Sequence, residues 1–451
     1  LLIVFLKGAP LPPLPHLRLF FGSMSTSTPS LVKDDIRKVR AGEHRVLTLP
    51  PLAPDALALA RMAEELHEHQ EKLLVVCADS IDVVRLSQEI PWFDPTLNVV
   101  TFPDWETLPY DVLSPQESII SERLETLYRL TQSKSSVDVV LVSAVTVAQR
   151  LAPVSFVGGA TFFFSVGDKL DIEGLRQSLV MAGYSAVQQV LAAGEFAVRG
   201  SLIDVFPMGS SHPFRLDLFD DEIDSIRWFD IETQRSMEEV DRIRLLPGHE
   251  FPVNETELSD FRQRWRTRFT GDPAKSLIYR DIGKGVLPPG IEYYFPLFFD
   301  ETATFADYLP ESTKVVTFGD IQATLSAFMR DTTSRAAMLA GDVARPPMSP
   351  DELWLNAEAF FLSLEKFARF SFKTPDAKAV ARQTHLKTVT VDRKSQNPLV
   401  NLLAFTDAEK TRHHRILICA SSIGRQTTMS ELFRSNGLKY AEVNSWGDFL
   451  T

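Results

Sequence analysis

Two periods of apolar spacing divide this chain. Residues 73–80 (LLVVCADS), 97–102 (LNVVTF) and 137–143 (VDVVLVS) carry near-continuous apolar runs with helical text between them. Such runs suit strands buried on both faces, so the pattern predicts a parallel sheet covered by helices. Ahead of them, residues 45–69 read as a short strand, a loop and a helix whose Leu57, Ala60, Met62, Ala63 and Leu66 share one side. A second helix is expected over about residues 80–88 and a third over ISERLETLYRL, 120–130. From about residue 154 the spacing changes. A helix, LDIEGLRQSLVMAG (170–183), leads into closely spaced strands, and FRLDLF (214–219) alternates strictly before DDE turns the chain into IDSIRWF. That period of two marks a half-exposed antiparallel sheet.

The resulting division is a leader (1–41), a first part of a parallel-sheet domain (42–153), a compact α+β insert (154–248), a second part of the same domain (249–370), a polar linker (371–398) and the start of another small α/β domain (399–451). The opening LLIVFLKGAPLPPLPHLRLFFGS is apolar and Pro-rich. It lacks the basic lead of a signal peptide, and LLIVFL is far shorter than the ~20 residues that span a bilayer. The native start is expected at Met24, with the preceding residues poorly ordered and contributing no strand or packed core.

At 451 residues and 44% hydrophobic content the chain is long enough for roughly two to four globular domains. Its net charge of -12 excludes a broad nucleic-acid-coating surface, so any DNA contact must be local. Cys77 and Cys419 lie in apolar strand text and read as core thiols in a reducing cytoplasm, not as a disulfide or metal pair.

Nucleotide chemistry is missing where a parallel sheet of this kind would hold it. A phosphate-binding loop needs glycines and a lysine between first strand and first helix, whereas this chain has PPLAPDA, whose prolines remove N–H donors. GDKLD (167–171) and GDPAKS (271–276) lack the second glycine and read as turns. The adjacent His413 and His414 cannot act as metal ligands at i and i+4, and Asp220-Asp221-Glu222 reads as a turn between strands, not a cation site. No Ser/His/Asp or Cys/His arrangement rises above composition.

Residues 102–129, FPDWETLPYDVLSPQESIISERLETLYR, are the least generic stretch, and Trp105, Tyr110 and the prolines before an amphipathic helix suggest a docking or nucleotide-side loop. In residues 214–219, Arg215, Asp217 and Phe219 share one face, and Arg199 of EFAVR joins them if the strands pair. Two readings follow from the spacing. Either Phe219 and the arginines form an exposed protein interface, or Phe219 turns inward and the arginines hold Asp204 or Asp217.

The stretch at 102–129, with GEFAVRGSLIDVFPMGS (194–210), PFRLDLFDDEIDSIRWFD (213–230) and LPPGIEYYFPLFF (287–299) in the same order, resembles the N-terminal part of the bacterial transcription-repair coupling factors (Mfd). The resemblance implies a degenerate UvrB-like, RecA-type α/β domain interrupted by an insert similar to the UvrA-contacting domain of UvrB. It places Arg199, Arg215 and Phe219 on the family's UvrA-binding positions. It further implies UvrA as partner, with RNA polymerase and double-stranded DNA engaged through domains that follow this part in the intact family. ATP and magnesium would belong to those translocase domains, with no cofactor, catalytic residue or metal in this chain, and the location would be cytoplasmic with no membrane. At 116–118 the chain has QES where relatives commonly carry His and Asp. The competing readings are UvrB itself, which PPLAPDA disfavours, and a catalytically dead helicase-like scaffold with another partner.

Overall fold

The computed structural model describes residues 2–5, 19–22, 36, 38–48, 55–132, 135–373, 396–411, 415–420 and 423–450. Its centre is a six-stranded, wholly parallel sheet in the order His44–Thr48, Ala368–Lys373, Lys314–Phe318, Leu73–Cys77, Val139–Ser143, Val99–Phe102. The continuous apolar runs explain this placement, because the central strands Leu73–Cys77 and Val139–Ser143 bury both of their faces. Leu74, Val76, Val140 and Val142 enter one large core, while Leu73, Val75, Cys77, Val139 and Leu141 enter a second one under the Asp55–His67 and Ser80–Phe93 helices. Burial pushes the Cys77 thiol up to about 12, as suits a core thiol. In the first helix the buried side is Ala56, Leu59, Ala60, Met62, Ala63 and Leu66. Leu57 is half-buried instead, one position off the expected stripe.

The chain leaves this sheet after Ser143 and returns to it only at Lys314. Within the excursion lies a second six-stranded sheet, in the order Ser236–Glu239, Glu222–Phe229, Phe214–Phe219, Leu202–Val205, Glu195–Arg199, Ser185–Ala186. All its pairings are antiparallel except the short last one. Phe196, Ile203, Val205, Leu216 and Ile226 line its apolar face, with Leu175 and Leu179 of the Ile172–Met181 helix. They join the same core that Val140 and Val142 enter, so the insert is fused to the parallel-sheet domain. Each such side chain contributes about 1.5–3 kcal/mol on burial.

Residues 102–129 are the lock between the two. Trp105 is only 5% exposed, so the aromatic anchor of the expected docking or nucleotide-side loop faces the interior while the loop's edge stays exposed. Arg123, fully buried on the Glu117–Thr131 helix, donates from Nε to Glu250 Oε1 at 2.9 Å and from Nη1 to the Pro103 carbonyl at 2.7 Å. Its guanidinium lies over the Phe102 ring, and Trp105 Nε1 donates to the other Glu250 oxygen at 2.8 Å. Tyr110 donates its hydroxyl to the Met348 carbonyl, while Glu106, Leu108 and residues 112–114 stay exposed. Prolines and aromatics suited a loop in sequence terms. A long-range acid, Glu250, draws them inward.

The same stretch meets residues 287–299 at a second buried acid. Glu292 accepts from Ser114 Oγ at 2.7 Å, and Ser114 Oγ accepts from the Gly290 amide at 3.0 Å. Gly290 has φ 78°, and a Cβ there would sit 2.6 Å from the Asp111 carbonyl, so only glycine fits. Burial pushes the Glu292 carboxyl up to about 7, and the nearby Glu250 adds to the rise while the Ser114 hydrogen bond opposes it.

Two boundaries differ from the expectation. The strand Ala368–Lys373 pairs with His44–Thr48 through Lys373, so residues 371–373 belong to the sheet and the polar stretch starts after them. The alternation in ARFSFK is the reason: Phe370 is buried and Phe372 packs on the same core. The leader also differs, since Leu2–Phe5 runs parallel between Arg415–Ala420 and Ala441–Val443, and Leu19–Gly22 pairs antiparallel with Arg415–Ala420. LIVF and LFFG are short apolar tetrapeptides that suit such pairing. This small sheet carries the Val400–Thr411 and Ile423–Ser435 helices, and Trp446 packs edge-on against Trp92 and Phe93 of the parallel-sheet domain.

Two expectations follow. Glu250→Ala should lower stability by about 3–5 kcal/mol, because it strands a buried guanidinium. A urea midpoint implying a loss under about 1 kcal/mol would remove the pair from its central role. For Glu292, the folded carboxyl binds a proton that the unfolded one has released between its ordinary value and about 7, so stability falls as pH rises through that window. Glu292→Gln should therefore match the parent at pH about 4.5 and exceed it by on the order of 2 kcal/mol at pH about 8. Parallel thermal melts at the two pH values read the difference directly, and an equal offset at both would refute it.

Candidate partner-binding face of the insert

The polar face of the antiparallel sheet is organised by one acid. Cross-strand register sets Asp204 directly opposite Arg215, and Arg215 opposite Arg227. Arg199 pairs with Leu202 around the two-residue turn at Gly200, φ 64°, which puts Arg199 diagonal to Asp204 on the same face. Asp204 is fully buried, and both arginines close on it. Arg215 forks onto it, Nε to Oδ1 at 2.7 Å and Nη2 to Oδ2 at 3.0 Å, while Arg199 Nη2 donates to Oδ2. Arg215 also stacks over the Phe229 ring and donates from Nη1 to the Gln234 carbonyl at 3.2 Å and to Ser236 Oγ at 3.3 Å. Its hydrogen bonds to Asp204 hold its charge more firmly than usual. Two guanidiniums on one carboxylate leave a net positive charge, and Arg199 keeps half its side chain exposed.

Phe219 stands at the hairpin end, opposite Glu222 and next to Asp220 with φ 61°. It is 79% exposed. The inward-turned reading therefore fails for Phe219, whereas the arginines do hold an acid, Asp204 and not Asp217. The structure brings Arg199 and Arg215 together and puts Phe219 on the same face of the sheet. Spacing alone missed Phe229 as the shelf under Arg215 and Gln234 as its carbonyl partner; both lie on strands or turns whose pairing had to be known first.

The other candidate sites sort as follows. Asp220–Glu222 is a turn, with Asp221 paired to Lys169 at 3.2 Å. Among the described residues no group of three His, Cys, Asp or Glu side chains could hold a metal ion. His413 and His414 and most of PPLAPDA lie outside the described residues. At the start of the helix after that loop, Asp55 is forked by Arg85, 2.8 Å on each oxygen, and Arg85 also binds Asp82 and Glu89. No helix among the described residues is long and apolar enough to cross a membrane.

A parallel α/β domain split by a fused antiparallel insert, with an arginine-and-aromatic face turned outward, defines a UvrB-like class of α/β protein. Residues 162–251 match the UvrB interaction domain, and residues 409–451 match the MFD, D3 domain. The transcription-repair-coupling factor of Haemophilus influenzae is 39% identical over 411 residues, 89% of this chain and 35% of that protein. That of Escherichia coli is 38% identical over 87% of this chain and 34% of its own length, and that of Bacillus subtilis 27% identical over 63% and 25%. This chain belongs to the transcription-repair-coupling factor family. It spans about a third of the length of the first two relatives.

Stability should separate the members of this face. Phe219→Ala should leave the unfolding midpoint within about 0.5 kcal/mol, since an exposed ring leaves no cavity. Asp204→Ala should cost about 3 kcal/mol or more by removing the acid from two arginines. Chemical denaturation of both variants checks this, and the reverse order would mean that Phe219 is a core residue.

Proposed function

We propose that this chain recruits UvrA through the outer face of its insert, with Phe219 as an aromatic anchor and Arg199 and Arg215 as the flanking guanidiniums. The observation that carries the reading is the exposure of Phe219 beside an arginine pair fixed on Asp204, inside the segment that matches the UvrB interaction domain. Exposed aromatic and arginine side chains are the residues that dominate binding energy at protein interfaces. A partner patch rich in carboxylates or carbonyls would receive the exposed guanidinium of Arg199. In the whole protein this recruitment would serve transcription-coupled excision repair in the cytoplasm. RNA polymerase and double-stranded DNA would be engaged by the remaining two thirds, which would also supply ATP and magnesium chemistry. This chain would itself hold no nucleotide: the loop text PPLAPDA offers neither glycine nor lysine, and the adjacent Asp55 is already occupied by Arg85.

The roles of the three residues differ. Phe219 can be truncated with little effect on folding; Arg199, half exposed, gives Asp204 one hydrogen bond, whereas Arg215 gives it two and holds it in place. Titration calorimetry of purified UvrA into this chain should show Phe219→Ala and Arg199→Ala each weakening binding by on the order of 2 kcal/mol, roughly thirtyfold. Arg215→Ala should weaken binding and lower the melting temperature together. Unchanged affinity in folded Phe219→Ala and Arg199→Ala variants would overturn this assignment and favour a scaffold with another partner.

A further inference from the structure

The Glu255–Arg268 helix carries its arginines in two stripes with different partners. Arg264 and Arg268 reach carboxylates, Asp300 at 2.6 Å and Glu352 at 2.6 Å. Arg262 and Arg266, one turn apart on the next stripe, reach none among the described residues. The Arg262 guanidinium lies over the Tyr279 ring, 4.6 Å from its centroid, and its buried Nε has no hydrogen-bond partner. Arg266 donates from Nη1 to the Tyr279 hydroxyl at 3.1 Å. Across from them, the Leu277–Ile282 helix and the turn after it present Arg280 and Lys284 on either side of Gly283. A Cβ at Gly283 would sit 3.1 Å from the Arg262 guanidinium carbon, so the glycine makes room for the close approach. Lys284 has only a 3.6 Å contact with Asp281, and Arg280 has no ion pair among the described residues.

Like charges gathered at this spacing repel one another, and a chain with 59 acidic residues could easily have placed carboxylates between them. Asp281 reaches only Lys284, at 3.6 Å, and Arg262 and Arg266 meet a tyrosine instead, which orients guanidiniums without neutralising them. From this juxtaposition we propose that Arg262 and Arg266, set on Tyr279, with the exposed Arg280 and Lys284 flanking Gly283, form a cradle for the phosphodiester backbone of a nucleic acid, read without regard to sequence. The cations form an open two-helix strip and not a pocket, which fits a polymer of regularly spaced anions better than one small anion. The strip also satisfies the charge constraint on the whole chain, since a net charge of -12 permits DNA contact only where cations are locally concentrated. The site is independent of the UvrA reading, because none of its residues lies on the insert's outer face.

The test is fluorescence anisotropy of a labelled random-sequence duplex titrated with the full chain at two or more salt concentrations. The parent should bind at about 50 mM salt, with log affinity falling against log salt at a slope of roughly -3. Arg266→Glu with Arg280→Glu should weaken binding at least about tenfold and flatten the slope by about 2, while the equally charged control Lys169→Glu with Arg176→Glu stays like the parent. Arg266→Gln with Arg280→Gln supplies the same test with smaller risk to folding, and should show an intermediate loss. No binding by the parent at low salt, or unchanged binding by both folded double variants, would overturn the proposal. So would polyglutamate binding as tightly as the duplex, which would assign the strip to an acidic protein.

Discussion

The fold depends on closing one long excursion of the chain, and the buried pair Arg123–Glu250 is where that closure is made. The parallel sheet needs strands from both sides of a detour that begins after Ser143 and ends at Lys314, and the apolar core those strands share with the detour is non-directional. Arg123 sits on the helix before the detour leaves, and Glu250 follows the last strand of the insert. Desolvating two charges is expensive, and the expense is offset only where geometry is good and the remaining donors are used. Here the carboxylate takes Arg123 and Trp105, one on each oxygen, while the guanidinium also reaches the Pro103 carbonyl and the Phe102 ring. One Arg123 nitrogen, Nη2, is left without a partner, so the site has little tolerance for losing another contact. A mispacked insert would leave both charges buried alone, and that penalty selects the native arrangement.

Asp204 repeats the device with a different outcome. It too is a buried acid held by arginine, but the sheet that bears it has one face fused to the core and one open to solvent. The acid therefore rigidifies a surface instead of an interior. Arg215 is spent largely on the structure, stacked on Phe229 and tied to Gln234, while Arg199 shares the same carboxylate and keeps half its side chain free. A side chain held at one end would lose less rotamer entropy on meeting a partner, which suits the proposed use of this face.

Much of this was legible from apolar spacing, and the failures have physical causes. The continuous runs at 73–77 and 139–143 announced strands buried on two faces, and the strict alternation of 214–219 announced the half-exposed sheet of the insert. The second helix runs to Phe93 and not to about residue 88: Pro91 removes one N–H bond of its last turn, and the helix ends two residues later. Residues 102–114 read as a docking or nucleotide-side loop because their proline and aromatic content is local information, whereas the acids that tie down Trp105 and Ser114, Glu250 and Glu292, are distant in sequence. For the candidate face, alternation put Arg215 and Phe219 on one side and could not say which pointed outward. Register decided it: Asp204 faces Arg215 across the ladder, while Phe219 lies at the hairpin end, beyond the reach of any core position.

The position of Phe219 shows how an exposed aromatic is kept from collapsing inward. Asp220, beside it, adopts φ 61°, a left-handed conformation that Asp tolerates, and the tight turn fixes the direction in which the strand ends. A register shift between Asp217 and Leu218 leaves Leu218 buried in the core at 5% exposure, so the apolar demand at this end of the hairpin is already met by its neighbour. With the core filled and the backbone direction set, Phe219 can only project into solvent, carried on a sheet that the apolar face holds rigidly to the rest of the domain. The ring gains nothing from burial within this chain, and contact with a partner on the proposed face would supply that gain.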